Sequence, residues 1–162
     1  LPFSCGDVAQ EELFNDGLMV AFPKGEGPLP PVVQADDIAE GRLLLLEDGH
    51  CLKEHVLLAC NRPELRATAM MLGTSLHTLV QMVDNGLGVT LVPQMAVDAG
   101  LLTGTNVSLR PFEAEHASRR IALVWRRGSP REEEFQLLAD SLRRHQAELS
   151  PAPTSTAQAQ PA

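Results

Sequence analysis

Residues 43–60 read LLLLEDGHCLKEHVLLAC. Leu43 to Leu46 form a continuous apolar run without alternation, the pattern of a strand covered on both faces, as in a parallel sheet. Glu47-Asp48-Gly49 interrupts it. From Cys51 the period changes: Leu52, Val56 and Ala59 fall on one helical stripe, with Lys53 and Glu54 off it. The segment is a strand–turn–helix unit, and it places the chain among α/β proteins. Nine positions separate Cys51 from Cys60 (60 − 51 = 9). In a helix that distance is roughly 13 Å, whereas a disulfide needs its Cα atoms within ~7 Å. The two thiols therefore cannot join while the helix stands. They are two buried structural cysteines, part of a zinc site with His50 and His55, or a pair that meets only when the segment unfolds.

The flanking sequence repeats the unit. Upstream, Leu18 to Phe22 reads as a strand ended by Pro23. The stretch VQADDIAEGR reads as one short helix, with Asp36 and Asp37 near its start and Gly41 past its end. Downstream, RATAMMLGT is a second apolar strand. SLHTLVQMVDNG is an amphipathic helix with Ser75 as cap and Gly86 as stop. GVTLVP, an edge strand NVSLRPF and the apolar strand RRIALVW follow, with a short helix QMAVDAGLL after the first. SPREEEFQLLADSLRRHQAEL is the longest helix, with Ser129 capping and Pro130 at its first position. Strands alternating with helices across short loops predict a largely parallel sheet. Residues 150–162, from Ser150 on, are low in complexity and read as a disordered tail.

The 162 residues carry a formal net charge of −8, one Trp, no Tyr and three Cys. An acidic surface repels phosphate, and the paired arginines are too scattered to grip nucleic acid, so this chain is not expected to bind DNA by itself. No stretch approaches the ~18 apolar residues of a membrane span. No secretion signal is legible, and the first residue is Leu1, as in a fragment or a processed piece. Cysteines without an export signal suggest a reducing compartment, where a disulfide is transient and regulatory.

Cys51 opens a helix, where unpaired N–H groups and the helix dipole favour an anionic sulfur; Glu47 and Asp48 oppose this. A thiolate there attacks an O–O or S–S bond, and Cys60 is the nearby thiol able to resolve the product. Equally, Cys51 can be a small apolar residue at a helix start. For zinc, Cys51 and His55 share a face, but Cys60 lies too far along and no CxxC is present. Cys5 sits in a turn without a suggested partner. Thr74 and Ser75 stand beyond the carboxyl end of a strand, where α/β sheets place ligands, or they only cap the helix. Arg119 and Arg120 begin a strand and alternate between its faces; one could hold a polar ligand while the other is solvated.

Three stretches carry a family resemblance. SLHTLVQMVDNGLGVTLVP resembles the helix, glycine turn and LP-ended strand of the LysR-type transcriptional regulators. LLLLEDGHCLKEHVLLAC resembles the sensor segment of the OxyR group, whose members carry GHCL with a second cysteine nine residues on. RRIALVWRRGSPREEEFQLLA resembles that group's last strand and helix.

The resemblance implies an effector domain of two α/β subdomains, like a periplasmic binding protein, with mostly parallel sheets and an incomplete first subdomain. Residues 1–13 would be its remnant, 14–117 the second subdomain with the redox cysteines, and 118–149 the C-terminal part of the first. It implies a cytoplasmic sensor of hydrogen peroxide that controls antioxidant genes and is not an enzyme. Cys51 matches the peroxide-reacting cysteine, Cys60 the resolving one and His50 the neighbouring histidine. Arg119 matches an arginine near the peroxide pocket, to which Thr74 and Ser75 are candidate contributors. No cofactor, metal or membrane is implied. Implied partners are a second copy (dimer, then tetramer), DNA through an N-terminal helix-turn-helix absent here, RNA polymerase, and glutaredoxin- or thioredoxin-type reductants. The competing expectations are a LysR-type domain that binds a small organic ligand, its cysteines incidental, and a thiol peroxidase.

Overall fold

The structure, a computed structural model, describes residues 7–62 and 72–149. Cys5, the tail from Ser150 onward and most of the expected strand RATAMMLGT lie outside the described residues. Six strands are described: β1 (Val8–Phe22), β2 (Leu45–Leu46), β3 (Leu72–Gly73), β4 (Thr90–Pro93), β5 (Ser108–Pro111) and β6 (Ser118–Arg126). Four α-helices accompany them: α1 (Cys51–Ala59), α2 (Leu76–Asp84), α3 (Gln94–Asp98) and α4 (Glu132–Leu149). The described residues fall into two compact units, 16–119 in one and 7–15 with 120–149 in the other.

In the larger unit β1 pairs antiparallel with β4 on one side and β5 on the other, while β2 and β3 pair parallel. A parallel bridge between Leu43 and Val89 joins the two sets: Leu44 N donates to the Val89 carbonyl and Val89 N to that of Arg42, both at 2.8 Å. The α/β class is as expected, but the sheets are mixed rather than mostly parallel. The reason is β1, which runs against the strands it joins. Also unlike the expectation, β1 is one strand of 15 residues that passes straight through Asn15-Asp16-Gly17. VQADDIAEGR forms two 3-10 turns, Ala35–Asp37 and Glu40–Arg42, not one helix; the Asp37 carboxylate takes the Gln34 N–H at 2.8 Å and closes the first turn early.

The core of this unit is aliphatic. Leu43 to Leu46 are all buried, together with Val20, Leu79, Val80, Val83, Leu91 and Val92. Helix α1 packs on β2, and α2 packs on β2, β3 and β4. Ser75 caps α2 by accepting the Thr78 N–H at 3.1 Å. The helix ends in a Schellman motif: Leu87 N donates to Met82 and Gly86 N to Val83, with Gly86 at φ +77.

The smaller unit holds residues 8–15 of β1, 120–126 of β6, and α4. Ala139 is fully buried, and Trp125 meets Phe135 with ring centroids 5.6 Å apart. Arg143 ties α4 to β1 through the Glu11 carboxylate and the Glu12 carbonyl. Helix α4 starts at Glu132, two residues later than Pro130 suggests, because Ser129 and Pro130 sit in the preceding turn; Ser129 Oγ accepts from Arg131 N at 3.3 Å. The helix exposes Leu137, Leu138, Leu142 and Leu149. Among the described residues no helix is long and apolar enough to cross a membrane.

Gly88 is where backbones come closest. A Cβ there would meet the Arg42 carbonyl oxygen at 2.3 Å and the Leu44 side chain at 3.0 Å. That carbonyl is the acceptor of the Val89 bridge and cannot withdraw without breaking it. Gly88→Ala should destabilise the larger unit by about 1–3 kcal/mol, read as a lower urea midpoint; an unchanged midpoint would show that the bridge is not needed.

Candidate functional site at the ends of two parallel strands

Because β2 and β3 are parallel neighbours, with Leu46 opposite Gly73, their following loops leave the sheet at the same edge. Glu47 N donates to the Gly73 carbonyl at 3.1 Å and ties the two exits together. One loop leads through Gly49, at φ +95, to His50 and Cys51. The other leads through Thr74 and Ser75 into α2. His50 and Cys51 thus follow one loop, and Thr74 and Ser75 lie on the other, of two that leave the same end of this pair. Ser75 is occupied in capping α2, and the hydroxyls of Thr74 and Ser75 lie 3.4 and 3.0 Å from that of Thr78.

Cys51 is the first residue of α1 and exposed, and Cys60 is the C-cap and buried; both are free thiols. His50, the N-cap residue, is exposed and its side chain caps nothing. At the other end the chain turns through Asn61 at φ +51, the single non-glycine residue with positive φ among the described residues. Asn61 N donates to Leu58 and Arg62 N to Leu57, a second Schellman motif that fixes Cys60 in place. Burial pushes the Cys60 thiol up from 9.0 to about 11, partly offset by the Arg62 charge. His55, one turn after Cys51, is held below the usual imidazole value by burial and by nearby positive charge, that of Arg119 included. Among the described residues no three His, Cys, Asp or Glu side chains gather as a metal site would require.

Arg119 and Arg120 take opposite surroundings. Arg119 donates Nε to Asp16 Oδ2 at 2.8 Å, and Asp16 Oδ1 accepts Met95 N at 2.9 Å. Asp16 is buried. Arg120 is exposed and pairs with Glu12 at 2.7 Å. Two residues of this region escaped the sequence reading. Asp16 stands in a turn-like tripeptide, yet it anchors Arg119. Lys53 was placed off the apolar stripe of α1; in the structure its side chain is 2% exposed, and Nζ donates to Asp48 Oδ1 at 2.7 Å. Lys53 lines a small cavity beneath α1 with Leu44, Leu46, Leu52, Val56 and Thr90. No spacing rule marks it, because the stripe is wider than the three apolar positions suggest.

Mixed α/β sheets covered by helices, with one cysteine at each end of α1, are the setting in which the chain is compared with known proteins. The family model for the LysR substrate binding domain matches residues 2–147, and the chain belongs to that family. Among curated relatives it is 35% identical to the HTH-type transcriptional regulator EstR of Acinetobacter baylyi over 92% of this chain and 50% of that protein. It is 37% identical to a probable hydrogen peroxide-inducible genes activator of Mycobacterium avium, over 86% of this chain and 45% of that one. The chain therefore spans about half the length of these relatives. Among solved structures, the reduced regulatory domain of OxyR2 from Vibrio vulnificus superposes with a TM-score of 0.76 at 35% identity, over 93% of this chain and 69% of that one. Within the family, the chain is thus similar to OxyR regulatory domains.

The two thiols should differ in native-state chemistry. Iodoacetamide at pH 8 is expected to label Cys51 at least ~10-fold faster than Cys60, whose sulfur is both covered and protonated. The raised Cys60 value also fixes a sign. Folding favours its protonated form, so this contribution is intact below pH 9 and is lost as pH rises towards 11. A Cys60→Ala variant should lose less stability than the parent across that window, as measured by urea unfolding; equal labelling rates and parallel pH curves would contradict the assignment.

Proposed function

We propose that this chain is the peroxide-sensing regulatory domain of an OxyR-type transcription regulator, switched by a reversible Cys51–Cys60 disulfide. One observation carries the reading: an exposed and a buried thiol at opposite ends of a single nine-residue helix, in a domain similar to OxyR regulatory domains. Cys51 sulfur attacks one oxygen of hydrogen peroxide, the O–O bond breaks, and water leaves after proton transfer. The sulfenic acid on Cys51 is then attacked by the Cys60 sulfur; an S–S bond forms and a second water leaves. Two thiols and one peroxide thus give one disulfide and two waters.

Burial orders these steps. While α1 stands, Cys60 is covered and protonated, so peroxide meets Cys51 first. When α1 unwinds, Cys60 reaches water, loses its proton more easily and can resolve. Unwinding exposes Leu52, Val56 and Leu57, at about 1.5–3 kcal/mol each, and the covalent bond must offset this. His50 and Arg119 are assigned to the peroxide pocket, with Thr74 and Ser75 at its edge. Asp16 supports the Arg119 assignment by orienting its guanidinium through Nε and leaving the terminal nitrogens for a ligand.

Residues 14–117 are the sensing subdomain in this reading, and residues 1–13 and 118–149 belong to the first subdomain. The longer protein acts in the cytoplasm as a homodimer or tetramer. It binds DNA through an N-terminal helix-turn-helix, contacts RNA polymerase, and is reset by glutaredoxin- or thioredoxin-type reductants. Peroxide is consumed once per switching event and not turned over.

Peptide mapping before and after one equivalent of peroxide tests this. The treated chain should yield a Cys51–Cys60 peptide, Cys60→Ser should stop as a sulfenic acid at Cys51, and Cys51→Ser should not react. Two free thiols after treatment would favour a LysR-type domain for a small organic ligand, and sustained turnover with a thiol reductant would favour a peroxidase.

A further inference from the structure

Lys53 heads the fully buried side chains of the described core by volume, and it sits in α1 two residues after Cys51. Its ion pair with Asp48 is lopsided: the lysine side chain is 2% exposed and that of Asp48 83%. The ammonium has left water while its partner has not. Moving an ammonium out of water is costly, and pairing offsets that cost without abolishing it. The rest of the buried face of α1, Leu52, Val56, Leu57 and Ala59, is apolar and favours the standing helix. Resting on the disulfide reading above, oxidation must release residues between Cys51 and Cys60 from that helix. Release then has two opposed effects: Leu52, Val56 and Leu57 lose their cover, and Lys53 regains hydration.

We propose that the buried ammonium of Lys53 is a counterweight within α1 that sets how readily the Cys51–Cys60 disulfide forms, and that Asp48 restrains it. The pair closes the reactive turn as well: Lys53 N donates to the His50 carbonyl at 3.0 Å, and Lys53 Nζ reaches back to Asp48 across Gly49, His50, Cys51 and Leu52. Lys53 is a positioning residue for Cys51 in the reduced form and a source of relief on oxidation. Replacing it with an apolar side chain of similar length makes the α1 face uniformly apolar and favours the reduced helix. Removing the Asp48 charge leaves the buried ammonium less compensated and favours the disulfide. A salt bridge that merely braces the reduced fold would behave differently, because breaking it from either end would favour the disulfide.

The 162-residue chain, its Lys53→Met variant and its Asp48→Asn variant are equilibrated in glutathione redox buffers. There two protein thiols and one oxidised glutathione exchange for one protein disulfide and two reduced glutathiones. The Cys51–Cys60 peptide is quantified after acid quench and alkylation. Lys53→Met should lower the equilibrium constant for disulfide formation by about 10-fold, a potential ~30 mV more positive for a two-electron couple, and Asp48→Asn should raise it. If Lys53→Met raises the constant or leaves it within about twofold of the parent, the inference is wrong, whatever Asp48→Asn does. A parent chain that forms no Cys51–Cys60 peptide overturns the sensor reading itself; a parent that forms it, with variants that do not shift as stated, overturns only the role of Lys53.

Discussion

A nine-residue α-helix holds its two ends roughly 13 Å apart by its rise alone, and α1 has one cysteine at each end. Every other feature of the site follows from that separation. The Leu43–Leu46 strand seats the helix on the sheet. The Schellman turn at Asn61 fixes where it stops, and so fixes Cys60 inside the core. The parallel pairing of β2 with β3 makes the loops that carry Gly49–Cys51 and Thr74-Ser75 leave the sheet at the same end. A disulfide between these positions is incompatible with the ordered backbone, so the proposed bond could form only with loss of the helix.

Such an arrangement works as a switch only if neither state wins by a wide margin. The described core holds α1 by few side chains. Leu52, Val56, Leu57 and Ala59 are buried, but Leu58 is exposed and Lys53 contributes a charge to the buried face. A purely apolar face would tie the helix down more firmly. In the proposed switch, the mixed face leaves the reduced form folded yet within reach of what one covalent bond can offset. The smaller unit, with ion pairs from Arg143 and Arg120 to β1 and from Arg127 to Asp7 just before it, contains neither Cys51 nor Cys60.

Much of this was legible in the sequence, and what escaped did so for physical reasons. The four leucines, the change of period at Cys51, and the Ser75 and Gly86 caps are local signals, and the elements they mark are present. The path of β1 was hidden because Asn15-Asp16-Gly17 has turn-forming residues. Partners far along the chain, β4 and β5, keep it extended, and Asp16 is held by Met95 and Arg119 instead of making a turn. Strand direction was hidden for the same reason, since antiparallel pairing of β1 depends on partners far along the chain, from Thr90 opposite Ala21 to Pro111 opposite Met19. Lys53 was misplaced because a charged residue is read as solvated unless its partner is known, and its partner Asp48 lies in a turn whose closure only the fold shows. The cysteine spacing was legible at once; the family resemblance, not the spacing, is what favours one of its three readings, the redox pair that is proposed.

Amide hydrogen exchange across residues 52–62, with and without peroxide, probes the helix directly. Slow exchange is expected in the reduced chain at Val56 through Cys60, with loss of that protection upon oxidation and α2 unchanged. Formation of the disulfide with protection retained along α1 would contradict it.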